Sequence, residues 1–389
     1  MTSPITTIEE LRQLGRKRVP KMFYDYVESG AWTGATYAAN EADFNRIKLR
    51  QRVAVDLTNR SLATSMIGQD VSMPLALAPT GIIGMQYPDG EIVTARAAAK
   101  AGVPYTLSTM SVCSIEDVAK NSDKPFWFQL YVMRNREFTL KLIDRAKAAG
   151  CSALVVTLDL QIIGQRHKDI KNGLTTPPKM TLANLIDLAM KPRWCLGMAG
   201  TKRRTFGNIV GHVSGADTMR SISEWIASQF DPQLNWDDIK WIRDRWGGKL
   251  ILKGILDPED AERALRTGTD ALIVSNHGGR QLDGALSSIA ALPSIVNTVG
   301  DRMEVFMDGG VRSGQDVLKA VAFGARGVFI GRAFLYGVQA LGGEGVTLAL
   351  DIIRKELDLT MALCGERDIR NVGRHIIETR DAARELGSP

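Results

Sequence analysis

The sequence predicts an α/β protein built as a closed (β/α)8 TIM barrel, and a repeated unit is the first observation behind this prediction. Four stretches each consist of an alanine-rich amphipathic helix, a glycine and a short apolar strand. They cover residues 95–109, 145–159, 262–276 and 318–332. In each unit the glycine stands two to four residues before the strand, where the C-terminal cap of a helix belongs. These glycines are Gly102, Gly150, Gly268 and Gly324.

The number and spacing of the strands are the second observation. Four more apolar runs bring the predicted strands to eight, which start near residues 75, 104, 126, 153, 249, 271, 304 and 327. Most successive starts are about 21–33 residues apart, which is the length of one strand plus one helix. Eight such units favour a closed barrel. An open doubly wound sheet is the alternative, but no GxGxxG motif follows an early strand.

Two short helices are expected before the barrel. Thr6 or Thr7 can form a capping box with Glu9 or Glu10 at the start of the first helix. Pro20 is expected to open the second helix, since the missing N–H of a proline costs nothing in the first helical turn.

The gap of about ninety residues between the fourth and fifth strands contains a segment that carries the chain's excess of positive over negative residues. From Arg166 to Arg220 there are ten Lys or Arg and three Asp or Glu, an excess of seven against a net charge of +6 for the whole chain. The remainder is nearly neutral, which argues against a nucleic-acid-binding surface. We assign residues 171–221 to an insertion on the active face of the barrel, within a single domain that covers residues 1–389.

The composition is that of an ordinary soluble globular protein, with 44% hydrophobic and 24% charged residues. The chain start lacks the basic and apolar regions of a signal peptide, and no apolar run has the length of a membrane-spanning helix. The cysteines are scattered without a CxxC pair, which favours reduced thiols in the cytoplasm and argues against a zinc site. They are Cys113, Cys151, Cys195 and Cys364.

The most informative motif is the run SNHGGRQLDG at residues 275–284. It follows the apolar segment Ala271–Val274, so its polar groups emerge at the end of a buried strand. His277 and Arg280 stand three residues apart, with two glycines between them that permit a tight turn. Arg280 can hold a carboxylate through two parallel hydrogen bonds while His277 accepts a proton nearby. This pairing indicates a site for a small acid.

The C-terminal ends of the barrel strands converge on one mouth, so the residues there can be pooled. The set contains one histidine and two separated aspartates, which argues against a catalytic metal. After the seventh and eighth strands, glycines and arginines form a pattern typical of a phosphate cradle. A surface ion pair is the alternative for either arginine alone. The cradle residues are Asp308, Gly309, Gly310, Arg312, Gly331 and Arg332.

With these strand ends, the chain resembles the FMN-dependent α-hydroxy acid dehydrogenase and oxidase family, which includes glycolate oxidase, lactate oxidase and bacterial lactate and mandelate dehydrogenases. The similarity runs from residues 20–26 (PKMFYDY) to about Gly337, and the SNHGGRQLDG element is highly specific. Around residues 174–194 and 236–246 the sequence is most similar to the bacterial L-lactate dehydrogenases that are linked to a quinone or cytochrome. The resemblance implies FMN as the cofactor and a homotetramer as the assembly.

The resemblance also implies the catalytic residues. His277 is the active-site base, Asp159 is the carboxylate that stabilises its imidazolium, and Tyr131 bonds the substrate hydroxyl. Lys253 places a positive charge at the N1/O2 edge of the flavin, which raises the reduction potential of the flavin. Two routes fit these groups: removal of the α-proton to give a carbanion, or removal of the hydroxyl proton while hydride passes to flavin N5. A snorkelling surface lysine and a helix N-cap are the structural alternatives for Lys253 and Asp159.

Other residues are implied to hold the substrate and the flavin. The substrate carboxylate is bound by Arg166, Arg280 and Tyr26. The phosphate cradle named above holds the ribityl and phosphate end. The isoalloxazine ring and the ribityl chain contact Pro79, Thr80, Gly81, Ser108, Gln129, Thr157, Lys253 and Ser275.

Two positions depart from the family pattern. Met110 stands where glycolate oxidases carry a tryptophan, and its flexible thioether leaves a softer pocket. As a substrate-binding residue, Met110 therefore favours lactate or a larger 2-hydroxy acid over glycolate. Gly81 stands where many relatives have alanine, which frees space near flavin N5.

The chain begins directly with the flavin domain, so we expect electrons to leave to a separate acceptor, which is a cytochrome, a quinone or oxygen. In the insertion, the apolar residues 192–198 precede the cluster Lys202, Arg203 and Arg204, which suits an anionic membrane surface. A solvated lid over the active site is the alternative. We expect a cytoplasmic enzyme, peripheral on the inner membrane, that oxidises an L-2-hydroxy acid, foremost L-lactate. The rivals are an oxygen-using 2-hydroxy acid oxidase that produces hydrogen peroxide and, more distantly, a non-redox phosphate-binding barrel.

Overall fold

The structure is a computed structural model that describes residues 4–174, 179–213 and 218–378. Its centre is a sheet of eight parallel strands, preceded in the chain by a two-stranded antiparallel hairpin. The hairpin strands are β1 Thr64–Met66 and β2 Gln69–Val71. The parallel strands are β3 Leu75–Leu77, β4 Thr106–Ser108, β5 Trp127–Tyr131, β6 Ala153–Thr157, β7 Lys249–Ile255, β8 Ala271–Val274, β9 Glu304–Asp308 and β10 Gly327–Ile330.

The eight strands close into a barrel, as the sequence predicts. Neighbours pair in the order β3-β10-β9-β8-β7-β6-β5-β4. The two ends of this order meet in a parallel bridge between Leu77 and Tyr105, where the Leu77 N–H donates to the Pro104 carbonyl at 2.8 Å. Each crossover between parallel strands passes over the outside of the barrel, so all eight strand C-termini open on the same side.

Helices surround the barrel. Those up to the fourth barrel strand are α1 Ile8–Arg18, α2 Lys21–Glu28, α3 Ala35–Arg46, α4 Ile83–Gln86, α5 Gly90–Ala101, α6 Ile115–Asn121 and α7 Arg136–Ala148. The connection from β6 to β7 carries α8 His167–Lys171, α9 Leu182–Ala189, α10 Pro192–Gly200, α11 Met219–Gln229 and α12 Trp236–Trp246. The last five are α13 Pro258–Arg266, α14 Ser288–Val299, α15 Gly314–Ala322, α16 Arg332–Leu341 and α17 Gly343–Leu363, followed by 3-10 turns Ile369–Asn371 and Arg374–Ile376.

The helix ends follow the predicted signals. At the start of α1, the Glu10 N–H donates to the Thr7 hydroxyl at 3.2 Å and the Thr7 N–H donates to the Glu10 carboxylate at 3.0 Å, which completes a capping box. Pro20 is the residue before α2. The four glycines that end the repeated helices all have left-handed φ angles of 70°, 72°, 73° and 98°. They are Gly102, Gly150, Gly268 and Gly324.

Two N-terminal elements were not predicted. The helix α3 follows the two expected helices, and the β1–β2 hairpin lies across the N-terminal end of the barrel. The Ile67 N–H donates to the Glu304 carboxylate at 2.7 Å, and the Trp127 indole donates to Gln69 at 3.1 Å. Met66, Ile67 and Val71 pack onto the residues that fill the barrel interior. The hairpin therefore closes the end of the barrel opposite the strand C-termini.

The barrel interior is filled by side chains from alternate positions of its strands. Three large aromatic residues dominate, since the Trp127 and Phe306 rings lie 5.7 Å and 5.8 Å from the ring of Phe329. Each of these three side chains is almost fully buried. The interior is thus a packed core, so the barrel itself can bind a ligand only at its open C-terminal mouth.

The predicted insertion at residues 171–221 lies within the β6–β7 connection. Residues 175–178 and 214–217 of the predicted insertion lie outside the described residues. Asn208 fastens the connection to the barrel, because its buried amide donates to the carbonyls of Ser108 and Thr109, each at 3.3 Å. The connection thereby lies beside the C-terminal ends of β4 and β5.

Candidate active site

A cleft with a cavity volume of about 200 Å³ opens at the C-terminal ends of the barrel strands. Seventeen of the predicted site residues line it. They are Tyr26, Pro79, Thr80, Gly81, Ser108, Met110, Tyr131, Arg166, Lys253, His277, Arg280, Asp308, Gly309, Gly310, Arg312, Gly331 and Arg332.

The other four predicted residues stand one or two hydrogen bonds behind this surface. Asp159 and Ser275 hold His277 and Lys253, and Gln129 and Thr157 support Ser108. The Ser108 hydroxyl donates to Gln129 at 3.1 Å, and the Gln129 amide donates to Thr157 at 3.0 Å. This chain links the ends of three adjacent strands, so it fixes the polar wall of the cleft.

The side chains of His277 and Asp159 form a hydrogen-bonded pair at the ends of β8 and β6. The imidazole Nδ1 lies 2.9 Å from the Asp159 carboxylate. Burial alone would raise the pKa of Asp159, but the facing charges of His277 and Lys253 outweigh burial and lower it. The aspartate therefore stays ionised and holds the imidazole with its other nitrogen, Nε2, available to a ligand.

A glycine in β7 makes room for this pair. Gly254 has a φ of 104° at a shift in register between β7 and β8. A Cβ atom at this position would lie 2.7 Å from both Cβ and Cγ of Asp159. Only glycine permits so close an approach with this backbone conformation.

The motif that carries His277 turns sharply, as its glycines predict. His277, Gly278 and Gly279 all have left-handed φ angles, of 58°, 67° and 71°. A Cβ atom on Gly279 would lie 2.5 Å from the backbone of Tyr37 in α3. The turn thus packs against the unpredicted helix and places His277 and Arg280 on the same wall of the cleft.

Two arginines give the cleft its affinity for anions. Arg280 donates through Nη1 to the carbonyls of Tyr26 at 2.6 Å and Ser29 at 3.1 Å, and its guanidinium lies 4.7 Å from the centre of the Tyr26 ring. Its Nη2 is buried and has no hydrogen-bond partner among the described residues. Burial, together with the neighbouring Arg166 cation, lowers the pKa of Arg280 to about 9. A bound carboxylate would relieve both the orphaned N–H groups and the repulsion between the cations.

Tyr131 is a hydrogen-bond donor at the end of β5. Burial and the nearby Asp159 carboxylate raise the pKa of Tyr131 above its ordinary value. The phenol therefore keeps its proton at neutral pH and can donate it to an oxygen atom in the cleft.

Lys253 forms a second buried charge pair. Its ammonium group lies 3.0 Å from Asp308 and donates to the Ser275 hydroxyl at 2.8 Å. Burial would lower the pKa of Lys253, but Asp308 and Asp159 outweigh burial and raise it, so the lysine remains charged. The Ser275 hydroxyl also accepts a hydrogen bond from the backbone N–H of His277 at 3.1 Å. Ser275 thereby connects the Lys253–Asp308 pair to the residue that pairs with Asp159. The snorkelling alternative for Lys253 is wrong, because only 4% of the residue is exposed.

The cradle after β9 and β10 matches the chemistry of a phosphorylated cofactor. Gly309 and Gly310 have φ angles of 97° and 81°, and Gly310 approaches the carbonyl of Asn40 so closely that a Cβ atom would lie 1.9 Å from it. The Asp308 Oδ1 atom is buried without a partner among the described residues, and it can accept from a sugar-alcohol hydroxyl. Arg332 stands at the N-terminus of α16, where backbone N–H groups favour an anion.

The arginines of the cradle also bind the protein itself. Arg312 donates to Glu41 at 2.7 Å, and Arg332 donates to the carbonyls of Val27 and Ser29 at 2.7 and 3.0 Å. Both arginines line the cleft with part of their side chains. Their role at a phosphate stays a prediction.

Sequence reasoning missed residues that other segments bring to the cleft. Leu160 follows Asp159. Phe230 lies in the β6–β7 connection after the predicted insertion, where an antiparallel bridge to Met133 holds it. Glu91 does not line the cleft, but it is fully buried in α5 behind it and accepts the backbone N–H groups of Gly84 at 3.0 Å and Val112 at 2.9 Å. A charged residue on the alanine-rich face of α5 was the one available signal for Glu91.

The donor set fits a flavin mononucleotide. A glycine-rich cradle with arginines suits the phosphate, Asp308 suits the ribityl hydroxyls, and the Lys253 ammonium suits a ring edge that gains negative charge. A separate pair of arginines and a histidine are left for a small acid. Fold and cleft therefore define a barrel oxidoreductase that binds a phosphorylated redox cofactor beside an acidic substrate.

Comparison with known proteins agrees with this class. Residues 15–379 match the family model of FMN-dependent dehydrogenases. An L-lactate dehydrogenase of Caulobacter vibrioides is 45% identical over 378 residues, which are 97% of this chain and 98% of that protein. The L-lactate dehydrogenase of Acinetobacter baylyi is 41% identical over 370 residues, which are 95% of this chain and 96% of that protein. The chain belongs to the FMN-dependent dehydrogenase family, and FMN is its cofactor.

A solved structure has the same fold over nearly the whole chain. The crystal structure of the monotopic membrane protein (S)-mandelate dehydrogenase matches with a TM-score of 0.92 and 37% sequence identity. The match covers 97% of this chain and all of that chain (100%).

The buried pair of Lys253 and Asp308 gives a testable energetic prediction. Lys253→Met and Asp308→Asn should each destabilise the protein by about 3–5 kcal/mol, because each leaves one buried charge without its partner. The double variant should lose less than the sum, with a coupling energy of about 1–3 kcal/mol. Urea denaturation followed by circular dichroism, at a fixed excess of FMN, measures these values.

The exposed pair of Lys240 and Asp237, which are 2.9 Å apart, is the matched control. The same substitutions there should show a coupling energy below about 1 kcal/mol. Equal coupling energies for the two pairs would contradict the importance of burial.

Proposed function

We propose that this protein oxidises an L-2-hydroxy acid to the 2-oxo acid with FMN as its cofactor, and that L-lactate is its main substrate. The observation that carries the proposal is the arrangement of His277 beside Arg280 in the cleft that also holds the buried pair of Lys253 and Asp308. One wall thus offers a proton acceptor and a carboxylate site, and the other wall suits a flavin. The names of the L-lactate dehydrogenases of Caulobacter and Acinetobacter support lactate as the substrate.

In this proposal, each residue has a distinct task. The guanidinium groups of Arg280 and Arg166 bind the substrate carboxylate, helped by Tyr26. Tyr131 donates a hydrogen bond to the substrate hydroxyl. His277 takes up the proton that the substrate releases, and the Asp159 carboxylate stabilises the imidazolium that results. When bound, FMN accepts the two electrons, whereas these residues orient the acid and hold its proton.

The flavin would be held by the rest of the cleft. Lys253 supplies the cation that favours reduction, and the glycines and arginines of the cradle bind the ribityl and phosphate end. The residues assigned to the ring are Pro79, Thr80, Gly81, Ser108, Gln129, Thr157 and Ser275. The residues assigned to the ribityl and phosphate end are Asp308, Gly309, Gly310, Arg312, Gly331 and Arg332.

A small substrate side chain is supported by the wall that the cleft shares with a neighbouring cavity. Met110, Tyr131, Leu160 and Phe230 separate the cleft from a smaller neighbouring cavity. A methyl group suits this apolar partition, whereas a long chain would have to displace one of its members.

We further propose that the electrons pass to a membrane quinone or a cytochrome, and that the protein binds a membrane surface peripherally. Five large apolar residues of α9, α10 and the turn between them form a ridge in which each residue is between 53% and 74% exposed. Such a cluster of exposed apolar groups is typical of a membrane or protein contact. No helix in the described part of the chain is long and apolar enough to cross a bilayer. This apolar ridge consists of Leu182, Leu185, Ile186, Met190 and Leu196.

The family resemblance supports a homotetramer on the cytoplasmic side of the inner membrane. Light scattering of the purified FMN-loaded protein measures the number of subunits, and fractionation of cells locates the protein.

His277→Ala should leave FMN bound but slow the reduction of FMN by L-lactate at least about 10²-fold, because the imidazole is the group beside Arg280 that we assign to take up the proton. Stopped-flow absorbance of the flavin measures this rate. His375→Ala, which alters an exposed histidine paired with Glu366, is the control and should reduce at the normal rate. Normal reduction in His277→Ala would refute its assignment as the base.

Arg280→Lys should weaken binding of the acid, raising KM for L-lactate by roughly 10- to 100-fold, because a lysine cannot form the two parallel hydrogen bonds. Steady-state kinetics separates this effect from a change in kcat. The exposed Arg263→Lys is the matched control. An unchanged KM in Arg280→Lys would contradict the proposed carboxylate site.

The acceptor is tested by measuring hydrogen peroxide. With L-lactate under air, the wild-type protein should form little peroxide compared with its turnover of a quinone analogue, as expected for a dehydrogenase. Peroxide in a one-to-one ratio with pyruvate, at a rate that matches quinone turnover, would instead identify an oxygen-using 2-hydroxy acid oxidase.

A further inference from the structure

A second cavity, of about 450 Å³, lies away from the catalytic cleft and shares none of its lining residues. It is enclosed by the end of α1, the turn after α4, the start of α10 and the end of α16. The proposed reaction uses none of the side chains that line it. Its size and its position at the meeting of four segments suggest a binding site.

The charge of this cavity is positive. Lys17, Arg18, Lys191 and Arg193 line it, and no aspartate or glutamate is among the described lining residues. Arg18 donates to the Ala340 carbonyl at 2.5 Å and Lys191 donates to the Lys17 carbonyl at 2.9 Å. In the described part of the chain, none of the four cations forms an ion pair with a carboxylate. An anion in the cavity would therefore offset their mutual repulsion.

A buried acceptor atom also points to a ligand. Gln339 lines the cavity and is only 2% exposed. Its amide nitrogen donates to Gln86 at 2.8 Å, but its Oε1 is buried without a partner among the described residues. A hydroxyl or amine donor on the ligand would satisfy this oxygen.

The remaining walls are apolar and continue onto the surface. Tyr87, Pro88 and Trp194 line the cavity, and the Trp194 ring lies 5.5 Å from that of Phe23. Met190 lines the cavity and also belongs to the apolar ridge. The cationic cavity thus opens next to the exposed apolar side chains of α9 and α10.

We infer that this cavity binds the phosphate-bearing headgroup of an anionic phospholipid, with its acyl chains lying along the apolar ridge. The inference rests on the peripheral membrane association proposed above, and it adds the residues that recognise the lipid. The four cations meet the phosphate, and Gln339 accepts from a headgroup hydroxyl. Aromatic and cationic side chains next to an apolar face are the combination that anchors proteins at a bilayer interface.

A lipid accounts for the site better than a free phosphate ion does. An inorganic ion needs the cations alone and leaves the apolar walls and the ridge without a partner. An amphiphile uses both, because its charged group and its chains leave water together.

The inference is tested by vesicle sedimentation of the FMN-loaded protein, with phosphatidylcholine vesicles that contain or lack phosphatidylglycerol. The wild type should bind the anionic vesicles more tightly. The double variant Lys17→Gln/Arg193→Gln should lose roughly 10- to 30-fold of its affinity for them, since each cation contributes about a factor of five near an anionic surface. Its binding to neutral vesicles should not change.

A matched control removes two positive charges elsewhere. Lys120→Gln/Arg266→Gln alters exposed residues of α6 and α13, which do not line the cavity, and should bind like the wild type. Soluble inorganic phosphate, added up to the concentration of lipid phosphate, should not displace the wild type from the vesicles. All three proteins should reduce FMN with L-lactate at the same rate, which confirms that they are folded.

The outcomes separate this inference from membrane association itself. If Lys17→Gln/Arg193→Gln binds anionic vesicles as tightly as the wild type, the headgroup site is wrong although association stands. Displacement of the wild type from the vesicles by inorganic phosphate would also contradict the inference that the cavity binds a lipid. If the wild type binds neither kind of vesicle, and Leu185→Ser/Ile186→Ser behaves in the same way, both the headgroup site and the membrane association are wrong.

Discussion

The structure depends on four titratable side chains that are held together in the mouth of a closed barrel. Lys253 pairs with Asp308, His277 pairs with Asp159, and the Ser275 hydroxyl joins the two pairs. Such groups are costly to bury unless every charge has a partner. Four different strands supply them, so the pairs form only when β6, β7, β8 and β9 are in register. The closed barrel therefore offsets the free-energy cost of burying these groups, because it brings each one to its partner.

Much of this could be predicted from the sequence, because the information is local. The alternation of helix, glycine and apolar strand predicted four of the eight strands, and further apolar runs predicted the other four. Polar residues at the strand ends, together with the family resemblance, predicted the site. The parts that escaped prediction depend on distant contacts. Helix α3 has no strong signal of its own, but it packs against Gly279. Phe230 reaches the cleft only because the insertion pairs with Met133, and no local pattern encodes that pairing.

The β6–β7 connection, which contains the insertion, contributes to two regions of the protein. Phe230 after the insertion lines the catalytic cleft, while α9 and α10 expose the apolar ridge and α10 lines the cationic cavity. Asn208 ties the insertion to the carbonyls that follow β4. Binding at the ridge would thus act on a segment that is fastened to the active site, which gives a physical route by which a surface could influence turnover.

The β1–β2 hairpin also has a consequence for the order of events. Met66, Ile67 and Val71 cover one end of a barrel whose interior is already packed, so the catalytic cleft has its entrance at the other end. The acid, its oxidised product and the electron acceptor must all use that entrance. The product is therefore expected to depart before the electron carrier approaches, which produces a ping-pong sequence with parallel lines in a double-reciprocal plot.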